Sequence, residues 1–291
     1  MADIWADISA HIGRVTGQPF HGTKTMSVGG GCINQAYGLS DGQRTFFIKL
    51  NQASKLAMFE AELAGLEEMY NSQTIRVPQP LCAGLAGTSS YIVMEWLELG
   101  RGRAWDAMGR NLAAMHRVSS DLGFGWYRAN TIGETHQPND WQDSWLAFWR
   151  DRRLGHQFRL AKRRGGSFPR QQQLLAALPD LLAGHDPLPA LVHGDLWSGN
   201  ASLTAAGEPV IFDPAMYYGD REVDLAMTEL FGRFPADFYD AYEAAYPLNS
   251  GYKTRKILYN LYHIINHFNL FGGGYEAQSN RMIDQLLKQI R

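Results

Sequence analysis

The sequence predicts an α+β chain with a small antiparallel-sheet N-terminal lobe and a larger, mainly helical C-terminal lobe. Three observations support this. The stretch "HGTKTMSVGGGCINQAYGLSDGQRTFFIKL" reads as three strands, and "LCAGL" and "SSYIVMEW" add two more. Beyond Gly100 the apolar spacing is mainly helical, apart from the segment Ala190 to Pro214. No repeat or low-complexity tract interrupts the chain, and "EWLELG", Glu95 to Gly100, reads as a connector. The expected lobes are residues 1–95 and 96–291.

Taken in order, "MADIWADISAHIG" places apolar residues at helical spacing and carries no basic-then-apolar leader. The first strand runs to about Val28, and the second covers roughly Ile33 to Leu39. "SDGQ" is a hairpin turn, with Asp41-Gly42 suited to positive backbone angles, and the third strand spans Arg44 to Leu50. "SKLAMFEAELAGLEEMY" is a helix with an apolar stripe of Leu56, Phe59, Leu63, Leu66 and Tyr70. "VPQP" then forces an extended segment. Trp141, Trp145 and Trp149, four residues apart, read as a helical stripe whose default role is core packing.

Composition narrows the function classes. Hydrophobic residues make up 45%, enough for a real core, and the formal charge of −2 gives no reason to expect nucleic acid or an anionic membrane as partner. The only cysteines, Cys32 and Cys82, have no metal-ligand spacing, which fits a reducing compartment. "LYNLYHIINHFNLFG" is interrupted by His and Asn and too short to span a bilayer. A soluble, cytoplasmic protein is expected. The oligomeric state is left open.

The chemistry concentrates in four places. "VGGGCIN" puts consecutive glycines at a strand-to-strand turn, where backbone N–H groups can approach an anion. Taken alone it reads more readily as a plain glycine-rich hairpin turn, and Asn34 stands where a final glycine would complete a nucleotide-loop pattern. Lys49 closes an apolar strand and could hold phosphate, given a carboxylate to position it. Of the two acids on the next helix, Glu62 lies about 60° from the centre of the apolar stripe and Glu60 about 100° on the other side, so Glu62 is the better partner. In "LVHGDLWSGN", Asp195 and Asn200 share one irregular segment, and "VIFDPA" delivers Asp213 from a following short strand. Phosphoryl transfer needs this set: a carboxylate to orient the attacking hydroxyl, and oxygen ligands for Mg²⁺. Taken singly, Asp195, Ser198 and Asn200 could each simply cap a turn.

"LVHGDLWSGN" with "IFDPAMYYGDREVDLA" closely resembles the fructosamine kinase (ketosamine-3-kinase) family, a branch of the aminoglycoside-phosphotransferase-like kinases within the bilobal protein-kinase-like fold. "GGGCIN", "FFIKLN", "VPQPL", "YIVMEWL", "LAAMHR", "NDWQDSWLAFWRDRRL" and "NHFNLFGGGY" extend the likeness over nearly the whole chain. The resemblance implies Asp195 as catalytic base and Asn200 and Asp213 as Mg²⁺ ligands. It implies ATP held by Gly29, Gly30, Gly31, Cys32, Ile33 and Asn34, by Lys49 with Glu62, and around the adenine by Met94, Glu95, Trp96 and Leu97. The implied substrate is a ketosamine, free or on a protein lysine, phosphorylated at its 3-hydroxyl as a deglycation repair step. Trp197 could stack against a sugar or its cationic amine, or pack under the loop instead. Tyr218 and His267 are weaker candidates for the same pocket. His193, where protein kinases have Arg, is expected to brace the loop. Cys32, among amides that would lower its pKa from about 8.5, is a candidate redox switch or merely a small residue in a tight turn.

Three rivals remain. A kinase of the same fold acting on an aminoglycoside or amino-alcohol would call for an acidic pocket, and no acidic run stands out. A non-catalytic nucleotide-binding regulator would lack a key group, yet Lys49, Asp195, Asn200 and Asp213 are all present. A metal hydrolase built on His193, Asp195 and Asp213 lacks further histidines at ligand spacing.

Overall fold

The computed structural model describes residues 4–29, 33–100 and 102–290. The chain forms two compact units, Met1–Arg103 with Ser202–Asp213, and Ala104–Ala201 with Pro214–Arg291. The first unit therefore runs past the expected limit at residue 95 and includes a returning segment. Backbone hydrogen bonding explains the addition. The short strand β6 (Leu99–Gly100) is reached after the five-stranded sheet, and Leu203 pairs with Gly100 across it. Further on, the Ile211 N–H donates to the Arg76 carbonyl.

The first unit begins with α1 (Ile4–Thr16). Strands β1 (Lys24–Val28), β2 (Gln35–Ser40) and β3 (Thr45–Gln52) follow, then α2 (Leu56–Asn71), β4 (Pro80–Ala86) and β5 (Ser89–Glu95). The sheet is antiparallel, in the order β1-β2-β3-β5-β4. Its core gathers Ile8 and Ile12 of α1 with Leu39, Ile48, Leu50, Tyr91 and Val93. The β2–β3 turn forms as expected: Gly42 has φ 93°, and Asp41 Oδ1 accepts the N–H groups of Gln43 and Arg44. Two strand limits differ from the sequence reading. β2 starts at Gln35 rather than Ile33, and β3 runs to Gln52, which pairs with Ser89.

The buried face of α2 is rotated relative to the expected stripe. Phe59, Ala61, Gly65, Leu66 and Met69 are buried, whereas Tyr70 is exposed. Small residues at Ala61 and Gly65 let the helix lie close on β4 and β5 along that side. This is the Glu62 flank.

The second unit holds α3 (Trp105–Met115), the strands β7 (Asn130–Ile132) and β8 (Thr135–Gln137), and α4 (Trp145–Phe148). A π-helical turn, Trp149–Leu154, leads into α5 (Gly155–Arg163), followed by α6 (Gln171–Leu181) and β9 (Ala190–Val192). β10 (Ala201–Thr204) and β11 (Pro209–Ile211) form the returning segment. Then come β12 (Tyr217–Gly219), paired with β9, and helices α7 (Glu222–Met227), α8 (Ala236–Ala245), α9 (Tyr252–Phe271) and α10 (Tyr275–Gln289). The β7–β8 hairpin and β12 correct the expectation of helix outside 190–214. These strands have three residues each, too few to carry a readable alternation.

Trp145 and Trp149 are core residues, but Trp141 precedes α4 on non-helical backbone and is not part of a helical stripe. It stacks on Tyr218 instead, with centroids 6.2 Å apart. The fully buried Arg153 guanidinium lies 4.0 Å from the Tyr217 ring centre and donates to the Pro138 carbonyl and Asn139 Oδ1. Among the described residues no helix is long and apolar enough to cross a membrane.

Candidate active site

In the first unit Glu62 and Asp213 gather on Lys49. β3 carries it inward at 6% exposure, and its Nζ lies 2.6 Å from Glu62 Oε1 and 2.5 Å from Asp213 Oδ1. Burial alone would discharge the ammonium, but the two carboxylates outweigh that and raise its pKa above the ordinary lysine value. Burial also pushes the Glu62 carboxyl up, with Lys49 pulling it down and Asp213 adding to the rise. Glu60, on the other side of the helix, is exposed. Asp213 sits at φ 60°, an uncommon conformation for a residue with a side chain, immediately before Pro214. Its Oδ1 is taken by Lys49, and no described residue donates to Oδ2.

The glycine-loop assignments fall largely outside view. Gly30, Gly31 and Cys32 lie outside the described residues, and with them the redox reading of Cys32. Open space adjoins Gly29, Ile33 is exposed, and Asn34 Oδ1 accepts from Asn51 Nδ2 at 2.7 Å. At the end of β5, Met94 is buried. The Glu95 N–H is used by the Gln79 carbonyl at 2.8 Å, and the Glu95 carboxylate by Arg76 at 2.6 Å. The Trp96 ring lies against Phe47 and over Gly38, leaving that glycine no room for a Cβ. The Leu97 backbone has no hydrogen-bond partner among the described residues, so its N–H and carbonyl are available.

In the second unit the loop after β9 carries Asp195 and Asn200. A buried carboxylate fixes its entrance. Asp224 of α7, with no exposed surface, accepts the His193 N–H at 2.7 Å and the Gly194 N–H at 2.8 Å. The same carboxylate accepts His116 Nε2 at 3.0 Å, and His116 Nδ1 meets the Tyr242 hydroxyl at 2.7 Å. Burial would raise the Asp224 pKa, yet the bonds from His116 and from the His193 backbone hold it below the ordinary carboxylate value. His193 braces the loop through its ring: the Asp195 N–H donates to His193 Nδ1 at 3.2 Å. Gly194 has φ 80°, and a Cβ there would run into the Ala215 carbonyl, so only glycine fits.

Asn200 Nδ2 donates to the Asp195 carbonyl at 2.9 Å and to Asp195 Oδ2 at 3.3 Å. No described residue bonds to the Asn200 carboxamide oxygen. Asn200 and Asp213 thus each keep one oxygen outside the protein's own hydrogen bonding, and such oxygens are the donors Mg²⁺ prefers. Trp197 is 37% exposed, with its ring folded over Gly199 and away from the core. Tyr218 is buried in β12, and His267 is half-buried on α9. Asp224 and His116 had no role assigned from sequence. The signal was available: an acid inside "EVDLAM" must be bonded if buried.

The comparisons with known proteins agree on one family. Residues 4–289 match the model described as fructosamine kinase. A probable ketoamine kinase of Synechocystis sp. (strain ATCC 27184 / PCC 6803 / Kazusa) is 56% identical, over 98% of this chain and 97% of its own. The chloroplastic protein-ribulosamine 3-kinase of Arabidopsis thaliana is 43% identical, over 92% of this chain and 84% of its own. A solved candidate fructosamine-3-kinase from Haemophilus somnus 129PT superposes with TM-score 0.91 at 28% identity, covering 98% of this chain and all of that one. A thermostable mutant of aminoglycoside phosphotransferase APH(4)-Ia, at 16% identity and TM-score 0.60 over 97% of this chain and 98% of its own, shares the fold.

Proposed function

The chain belongs to the fructosamine kinase family, and from that premise we propose that it transfers the γ-phosphate of ATP to the 3-hydroxyl of ketosamines. The acceptors are ribulosamine or fructosamine adducts, free or on protein lysines, and the step serves deglycation. One observation carries the reading. The loop bearing Asp195 and Asn200 is fastened at its base by a fully buried carboxylate, as a preorganised catalytic loop requires.

Asp195 orients the 3-hydroxyl and takes its proton. Lys49, set between Glu62 and Asp213, holds the nucleotide phosphates, and the Leu97 backbone receives the adenine edge. Asn200 and Asp213 would each offer an oxygen to Mg²⁺, which supplies charge neutralisation at the phosphates when bound. Trp197 offers its exposed face to the sugar. A phosphate at the third carbon lies beta to the carbonyl-derived centre and leaves readily, so the adduct decomposes and frees the amine. The cysteine usage fits a reducing compartment such as the cytoplasm.

The test is ATP consumption with Mg²⁺ over ribuloselysine, fructoselysine, kanamycin, choline and homoserine, with Asp195→Asn as blank. Turnover on the ketosamines alone is expected. Turnover only on kanamycin, choline or homoserine would overturn the substrate assignment. ATP binding without turnover on any acceptor would instead indicate a regulator.

A further inference from the structure

His267 lies among three aromatic rings. Its centroid is 4.7 Å from Phe231, 5.6 Å from Phe271 and 5.2 Å from Tyr275. The group borders the catalytic loop, since the Ser198 hydroxyl, three residues after Asp195, donates to the Phe231 carbonyl at 3.1 Å. Phe271 is 61% exposed, and open space adjoins Gly273 and Gly274 just beyond it. The rings form a half-open recess, not a sealed core.

The hydrogen bonding of His267 fixes which nitrogen does what. Nδ1 meets the His263 carbonyl at 2.8 Å, and a carbonyl only accepts, so Nδ1 carries the proton. Burial lowers the His267 pKa, which keeps the ring neutral and leaves Nε2 with a lone pair. No described residue donates to Nε2. The recess therefore combines one unused acceptor with three aromatic rings, whose π faces attract positive charge, a set that suits a cation bearing N–H groups.

We propose that His267, with Phe231, Phe271 and Tyr275, receives the secondary ammonium that joins sugar to lysine in the ketosamine acceptor. The inference rests on the ketosamine reading and deepens it. His267 Nε2 accepts one ammonium N–H, the rings surround the charge, and the lysine side chain leaves past Phe271 and Gly273. Selectivity for ketosamines over free ketoses then comes from α9 with Phe231 and Tyr275 beside it, while Trp197 faces the sugar.

The test compares fructosyl-propylamine with the ether in which oxygen replaces its nitrogen, a neutral molecule of the same shape. In the wild type, kcat/KM should favour the amine. His267→Phe keeps a ring and removes the acceptor. It should lower kcat/KM for the amine about 10- to 100-fold, mostly through KM, and move the ether value less than about threefold. Phe271→Leu, at an exposed position, should cost the amine alone about two- to fivefold. Equal losses on both acceptors, or none on either, would overturn the ammonium site while leaving the kinase assignment standing. A wild type that turns over neither compound, nor ribulosyl-propylamine, would overturn the ketosamine reading, and this inference with it.

Discussion

Replacing Asp224 with Asn tests whether the loop bearing Asp195 is held from below. Asp224 accepts three donors in a dry site: His193 N–H, Gly194 N–H and His116 Nε2. An asparagine has one accepting oxygen, and its NH₂ must face a donor whichever way it turns. At least one buried N–H is then left without an acceptor, at about 1–3 kcal/mol. The surviving bonds change from charge-assisted to neutral and weaken by about 1 kcal/mol each. The total is roughly 3–5 kcal/mol, or about 6–20 °C in Tm for a chain of this size. The Asp224 pKa is lowered, so this contribution is fully present above the ordinary carboxylate pKa and is lost only as pH falls through the folded value. A thermal melt at pH 7 therefore reads all of it. Displacing the loop by even about 1 Å should lower kcat about 10²-fold. Since Asp224 and Lys49 belong to different units, the KM for ATP should stay within about twofold. A Tm within 2 °C of wild type, or an unchanged kcat, would refute the bracing argument.

Asp195→Asn should lower kcat by about 10²–10⁴ with ATP affinity retained, read by steady-state kinetics and nucleotide titration; near-normal turnover would remove Asp195 as the base. Lys49→Met leaves Glu62 and Asp213 facing each other without a cation, so ATP affinity should fall sharply, and unchanged affinity by calorimetry would contradict the phosphate assignment. Burial pushes the Cys82 thiol up to about 12, so at pH 8 only about one molecule in ten thousand carries the thiolate, and a thiol reagent should leave Cys82 unlabelled until the chain unfolds. Folding keeps His263 neutral, with its pKa lowered to about 3 by burial. Stability should hold above pH 6.5 and fall below it by about 1.4 kcal/mol per pH unit from this group; a denaturation series from pH 7 to 4.5 in wild type and His263→Gln measures the difference.

How much of this was legible in the sequence depended on whether a feature was local. The β2–β3 hairpin was readable because Asp41-Gly42 states its own turn chemistry, and Glu62 was preferred over Glu60 by helical angle alone. The rotation of α2 was not readable. Leu56, Leu63 and Tyr70 make a good stripe on paper, but the close approach allowed by Ala61 and Gly65 decides which side is buried, and that depends on a sheet assembled from distant segments. Trp141 failed for a related reason: four-residue spacing suits a helix only if the backbone there is helical, and α4 begins at Trp145. The returning segment 202–213 could not be placed at all, because its partners Gly100 and Arg76 are more than a hundred residues away.

The same distinction separates what touches the reaction from what holds it. On the proposed function Asp195, Asn200 and Asp213 meet phosphate and hydroxyl, and chemistry of that kind crowds its residues into short motifs that can be read directly. Asp224 and His116 work through other groups, and packing can bring such residues from anywhere: 108 positions separate this pair. A single sequence shows the first set by residue type and spacing. It shows the second only as an anomaly, an acid in an apolar run or a histidine closing a buried helix. Those anomalies can be used. A charged residue that composition says must be buried needs partners, and the shortest motif in the chain with backbone N–H groups to spare is a reasonable place to seek them. In this chain the acid in "EVDLAM" and the backbone N–H groups of "HGD" are such a pair.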